Sequence, residues 1–450
     1  MTVDQTDIDS LPSPPRPDGV PLLGSTMSLM GNPFTFLEEL SSYGDVVEYR
    51  TALGTFTAVF HPDHVERVLL QEPDRFQHVD ADAFDIGIDP EGLVDVRGEQ
   101  WRRQRTVMQP AFTMDQIQSY ADSMVAATTD SITGWEDGET IALDDAFSEL
   151  TLQILTQSLF DLDIESDDAE VIARTAQALN QQLAVDNTSA LLPSWVPTPS
   201  NRRFKRTYRE FVDCVDAMID ERRRSDDPGD DLLSILLTAT ADEGASLTET
   251  EVRDNMLTFL FAGHETTSLG LTYTIFLLAQ HQDELERLRA EHSAVIGDDQ
   301  PGFEHIPQLT HTKRVINEAL RLYPPVPVLF REPTDSVGFD GYRVDPNATV
   351  TLPQFTIHRD GRFWENPLSF DPDRWRDDGT NERPEYAYFP FGGGPRHCIG
   401  IRFARLEMQL VLAVVCQQYE FELLSDPDLE FNPGVTLRPA NPVQVQVSER

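Results

Sequence analysis

Apolar residues at three- and four-residue spacing run through most of the chain. This period predicts helices near residues 33–43, 62–71, 99–109, 115–133, 144–162, 168–184, 200–225, 249–280, 281–296, 309–323 and 398–417. Short alternating runs predict strands at 46–50, 55–60, 342–344, 348–353 and 434–446. No internal repeat is visible, and no linker divides two composition classes. The pattern therefore predicts a single domain over residues 21–450, mainly α with a minor β region (α+β). Residues 1–20, with Pro12, Pro14, Pro15 and Pro17, read as an irregular leader. The stretch 370–390 has no clear period, and a long irregular segment inside a fold points to function or disorder.

Charge changes this picture. Asp and Glu number 77 against 35 Lys and Arg, a net charge of −42, and Lys205 and Lys313 are the only lysines. Such a chain is a poor partner for nucleic acid or an anionic membrane. Its 25 Phe, 10 Tyr and 5 Trp exclude a disordered polyanion. Three Cys exclude a disulfide scaffold. The longest apolar run, Leu410 to Cys416, is too short for a membrane span, and residues 1–10 hold no apolar signal core. A cytoplasmic protein is expected. Acids spread along the whole chain predict adaptation to molar (halophilic) salt, which screens carboxylate repulsion within a few ångströms. A cationic partner is the alternative explanation.

Four motifs carry candidate chemistry. In Phe391-Gly392-Gly393-Gly394-Pro395-Arg396-His397-Cys398-Ile399-Gly400, the glycines let backbone approach a large flat ligand. A helix starting near Cys398, with Arg396 close by, is expected to bias the thiol toward thiolate, a soft metal ligand. A phosphate loop or a plain turn explains the glycines but not Phe391, Arg396 and Cys398. Glu318 and Arg321 share a helix face at i, i+3. In Ala262-Gly263-His264-Glu265-Thr266-Thr267, a glycine and two β-branched residues break helix propensity inside an apolar helix. A packing glycine with a back-bonded threonine gives the same letters. Trp101 and Arg105 lie one turn apart and can reach one anionic group, with Arg102 and Arg103 expected in solvent.

The Cys398 loop matches every defined position of Phe-x-x-Gly-x-Arg-x-Cys-x-Gly, and the chain resembles the cytochrome P-450 family from about residue 18 to 446. The resemblance implies that family's fold, with a long central helix over haem b and Cys398 as its axial iron ligand. Trp101, Arg105, Arg331, Ala262, Phe391, Gly392, Arg396 and Gly400 would then border the haem, the first three and Arg396 as its cationic or hydrogen-bonding groups. Glu265 would relay protons and Thr266 would hold the water that protonates dioxygen. His264 would meet the substrate cavity or solvent. Glu318, Arg321 and Arg374 would form a folding network, with Trp375 where Phe is more usual and His358 structural. Phe84, Leu93, Leu260, Phe261, Val326, Val328, Leu329 and Leu437 would line an apolar substrate pocket.

The implied activity is a monooxygenase acting on a hydrophobic small molecule, as a monomer fed by a separate ferredoxin. A peroxide-driven or isomerising haem-thiolate enzyme, or a haem-thiolate sensor, is the alternative. Residues 100–114 and 391–406 each hold three Arg and no acid, and are expected to meet the ferredoxin. Residues 187–209, apolar then basic, read as an entrance loop or a lid touching lipid or an anionic substrate tail.

Overall fold

The 32-residue helix Glu249–Gln280 is built from both of its ends. Thr248 accepts the Glu251 N–H through its side chain while the Glu251 carboxylate takes the Thr248 N–H, a reciprocal cap that closes the first turn. Beyond it the helix is buried on nearly every side. A Cβ on Gly263 would lie 2.7 Å from Leu155, and one on Gly270 would lie 2.9 Å from Met408. These two glycines therefore set how closely neighbouring helices pack, part of what breaks the helix propensity here.

The computed structural model describes residues 8–79, 91–162, 166–182, 198–224, 229, 231–239, 247–346, 348–376 and 383–450. Among these, the helices of eight or more residues are α1 (Pro33–Ser41), α2 (Gly98–Met108), α3 (Ala121–Ile132), α4 (Leu143–Phe160), α5 (Ser166–Gln182), α6 (Pro199–Arg224), α7 (Glu249–Gln280), α8 (Gln282–Val295), α9 (Thr310–Leu322) and α10 (Ile401–Gln418). The main core joins α3, α4, α6, α7, α9 and α10. No helix among the described residues is long and apolar enough to cross a membrane.

Among the described residues, twelve strands flank the helices: β1 (Val46–Thr51), β2 (Gly54–Val59), β3 (Phe76–His78), β4 (Thr140–Ala142), β5 (Leu329–Pro333), β6 (Val337–Phe339), β7 (Tyr342–Val344), β8 (Ala348–Leu352), β9 (Tyr419–Leu423), β10 (Phe431–Pro433), β11 (Leu437–Pro439) and β12 (Gln444–Glu449). The largest sheet runs β1-β2-β8-β5-β3, with β2 and β8 parallel and the other pairs antiparallel. Its edge sets His78 opposite Arg331. A second sheet is β4-β12-β9, and β6–β7 and β10–β11 are hairpins.

The helices fall close to the periodic segments, with differences of physical origin. The segment expected as one helix over 115–133 breaks at Tyr120, between Met114–Ser119 and α3. The expected strand 434–446 divides into β11 and β12, with Pro439 and Pro442 unable to donate to a ladder. Strands β3, β4, β5, β6, β9 and β10 were not anticipated. They are three to five residues long and mostly pair with distant segments, so alternation alone cannot show them. The leader is tied down from Ile8 onward: Ile8 is buried, and the Pro12 and Pro15 carbonyls accept the N–H groups of Arg343 and Glu48.

Candidate active site

Helix α10 begins at Ile401 with Gly400 as its N-cap, so Cys398 precedes the helix instead of opening it. Its loop is closed by the Cys398 N–H donating to Phe391 O at 2.9 Å. Gly394 has φ +64°, and a Cβ there would lie 1.7 Å from the Leu69 carbonyl oxygen. No other residue fits that position. Cys398 is exposed as a residue, yet its thiol is closely surrounded by protein atoms. Burial pushes its thiol up, against the Gly400 N–H and Arg105, which pull it down. Burial thus works against the expected bias toward thiolate, while the N-cap Gly400 N–H and Arg105 work for it. A metal ion that binds such a thiol displaces its proton to solvent.

Beside the loop is a cluster of cations. Arg396 stacks over Trp101 at 4.8 Å and donates to the Val94 and Val96 carbonyls. Arg331 is 7% exposed, donates to Phe330 O at 2.7 Å and meets no carboxylate among the described residues. Burial draws Arg331 down to about 10, and burial with Arg331, Arg97 and Arg105 draws Arg396 down to about 10. Both stay cationic at neutral pH. Opposite Arg331, His78 is pushed down to about 3 by burial, Arg331 and Arg396. Buried cations with so little opposite charge fit a ligand that brings carboxylates. His78 escaped the sequence reading because its strand has three residues and no periodic signature. Trp101 lies under Arg396, and Arg105 donates to His397 O at 2.9 Å.

Helix α7 supplies the other wall. Within its buried length Thr258, Phe261, Ala262, Gly263 and Thr266 are half-buried. Residues 258, 261, 262 and 266 share one face at i, i+3, i+4 and i+8, so the stripe looks into open space. Phe112 bridges this wall to the loop, stacking on Phe259 at 5.8 Å and lying 3.9 Å from a Cβ placed on Gly400. Thr266 donates to Ala262 O at 2.8 Å. His264 is fully buried with Nδ1 against Leu260 O, so it meets neither cavity nor solvent.

Of the expected pocket residues, Phe261, Val326, Val328 and Leu329 are half-buried, and Leu329 lies 3.7 Å from a Cβ placed on Gly392. Leu93 (6% exposed), Leu260 (0%) and Leu437 (0%) are core residues instead. Leu260 lies off the open stripe of α7, and Leu437 packs with Leu269, Tyr273 and Phe355. Phe84 lies outside the described residues.

Glu318, Arg321 and Arg374 come together as expected from their spacing. Arg321 donates from Nε and a terminal nitrogen to Glu318 at 2.9 and 2.8 Å, and Arg374 Nε donates at 2.8 Å. Trp375 is more than a tolerated departure, since its Nε1 donates to Glu318 at 2.9 Å. His358 accepts the Phe389 N–H at 2.9 Å.

The acid-free windows of the sequence are not acid-free in space. Arg102 pairs with Glu99 at 2.6 Å, and Arg103 is not solvated but bound to the buried Glu251 of the α7 cap. Arg402 is exposed and makes no ion pair among the described residues. On α6, Arg202, Arg203, Lys205, Arg206 and Arg209 are all exposed, and Arg203 helps line a pocket of about 290 Å³ with Phe204, Ala178 and Gln181.

A sequence model described as cytochrome P-450 matches residues 14–447. Pentalenene oxygenase of Streptomyces avermitilis is 33% identical over 93% of this chain and 92% of the relative. Cyclooctat-9-en-7-ol 5-monooxygenase of Streptomyces melanosporofaciens is 33% identical over 94% of this chain and 90% of its own. Cyclooctatin synthase of the same organism is 32% identical over 94% and 91%. With a family model and relatives that match nearly end to end, this chain belongs to the cytochrome P-450 family of monooxygenases.

Proposed function

We propose that the protein inserts one oxygen atom from dioxygen into a cyclic, largely hydrocarbon molecule of terpenoid type, with Cys398 as the iron ligand of haem b and electrons from a separate ferredoxin. The exposed Cys398, in one loop with half-buried Arg396 and with buried Arg331 beside that arginine, carries this reading. The names of two relatives, for pentalenene and cyclooctat-9-en-7-ol, support the substrate class. Haem, when bound, supplies dioxygen binding and the electron push of an axial thiolate. Arg331, Arg396 and Arg97, with neutral His78, hold its carboxylates. Thr266 Oγ1 spends its hydrogen on Ala262 O, which leaves its lone pairs to accept from a water in the cleft. Glu265 renews the proton on that water. Phe261, Val326, Val328 and Leu329 exclude bulk water around the substrate.

The test is turnover of a terpene panel under isotopically labelled dioxygen with a ferredoxin and its reductase. One labelled oxygen per product is expected. Turnover driven by peroxide alone, without label, would sink the reading.

For the ferredoxin we propose the surface around Arg402, which is exposed. Arg402→Glu should slow ferredoxin-driven reduction severalfold at low salt, the difference shrinking as salt rises. An unchanged rate across salt would remove this surface. Arg103 is unsuited to that test, because charge reversal there would strike the α7 cap.

We also propose that the net charge of −42 is a salt adaptation. The melting temperature should fall steeply as potassium chloride is lowered from molar levels, because unscreened carboxylates repel in the compact state. A flat profile refutes it.

A further inference from the structure

Glu265 is 1% exposed, and its Oε1 receives three donors from other elements. Asn180 Nδ2 on α5 donates at 3.1 Å, Thr436 Oγ1 at 2.5 Å, and Arg438 Nε on β11 at 2.7 Å. Oε2 is buried with no partner among the described residues. Asn180 also donates to Thr436 Oγ1 at 2.5 Å and accepts the Thr436 N–H at 3.3 Å. This fit needs Gly434, where a Cβ would lie 2.4 Å from Asn180 Oδ1. Strand β11 is itself pinned, with the Leu437 N–H on Pro325 O at 2.8 Å and the Leu437 carbonyl accepting from Tyr273 of α7. Arg438 is therefore held in place, with one end on a buried carboxylate and a side chain still 26% exposed. None of these three donors belongs to the motifs read from the sequence.

We propose that Arg438, Thr436 and Asn180 are the positioning residues of Glu265: they fix Oε1, leave Oε2 as the proton-carrying atom, and make the β11 face the side from which the acid is recharged. This rests on the reading of Glu265 as the acid that serves Thr266. A proton from water at the β11 surface binds Oε2 and leaves it for the water held at Thr266, while Oε1 stays on Arg438. The charged and titratable groups around the pair are few. His264 adjoins Glu265 on α7 and is kept neutral by burial, which outweighs the upward pull of Glu265. Asp144 and Tyr273 act on Arg438. Burial opposes the Arg438 charge, yet Glu265 outweighs it and holds Arg438 up.

The experiment compares Arg438→Met, Arg438→Lys, Glu265→Gln and the Glu265→Gln/Arg438→Met double variant in the full-length holoenzyme. Because Arg438 is the cation bound to Glu265 Oε1, the alkaline limb of the turnover profile should move to higher pH in R438M. R438K should stay near the parent. Product formed per electron pair should drop severalfold in R438M and not in R438K. A second readout is thermal unfolding. An unpaired buried carboxylate has a raised folded-state pKa, so its destabilisation is absent at low pH and grows as pH rises. R438M should therefore lose more melting temperature at pH 8 than at pH 5, and the double variant should recover most of that loss. Equal losses at both pH values, with additive single variants, would make Arg438 a packing residue and overturn the proposal. If R438M does not accumulate, R438Q is read against R438K by the same profile. If Glu265→Gln leaves turnover and its solvent isotope effect unchanged, the acid reading itself fails, independently of what Arg438 does.

Discussion

Cys398→Ala is expected to yield a folded protein that has lost thiolate-ligated haem. Reduced parent protein under carbon monoxide should show the absorption band for which the family is named, and the variant should show none. The fold should survive because the loop is closed by backbone: the Cys398 N–H on Phe391 O needs no sulfur. The other two thiols cannot substitute. Cys214 and Cys416 are 8% and 0% exposed within helices, and burial pushes each up to about 12. Burial raises the Cys398 thiol as well, but Cys398 is exposed as a residue where the other two are buried, so an arriving metal ion can displace the proton. The haem-free forms of parent and variant should unfold within about 0.5 kcal/mol of each other. A persisting band would remove Cys398 as the ligand.

Glu318→Ala should be the most damaging single change to the fold. Glu318 is fully buried and receives Arg321 through two nitrogens, Arg374, the Trp375 indole and the Asp371 N–H. Its loss leaves two guanidinium groups in a dry site, Arg321 at 0% and Arg374 at 8% side-chain exposure, with no carboxylate between them. Breaking a buried pair this way costs about 3–5 kcal/mol. Total stability for a domain is roughly 5–15 kcal/mol, so much of the margin goes. Trp375→Phe removes one donor and keeps both cations paired, at about 1 kcal/mol. Urea midpoints of the two variants should separate clearly. Near-equal midpoints would mean that Glu318 is not the centre of the network.

The sequence could show what lies within one turn or one loop. The period of α7, the spacing of Glu318 and Arg321, and the offsets of Phe391, Arg396 and Cys398 are local quantities, and helix and loop geometry follow from them. The pattern also exposed Gly263 as a misfit, but not why: the reason is Leu155 on α4, more than a hundred residues away in the chain. The expectation that Arg103 stands in solvent failed for the same reason. Arg103 belongs to a window without acids in sequence, yet it lies against Glu251 in space. Leu260 and Leu437 are as apolar as a pocket requires, and only packing turned them into the core.

By itself, then, the sequence determined the helical frame, the thiol with its loop and the acid–alcohol pair on α7, because each is written in residues a few positions apart. Tertiary structure alone decided the environment of each group. It set His78 across from Arg331, placed Cys398 just ahead of its helix, and brought Asn180, Thr436 and Arg438 onto Glu265. Those environments come from contacts between distant segments, and in low dielectric such contacts fix what a titratable group can do.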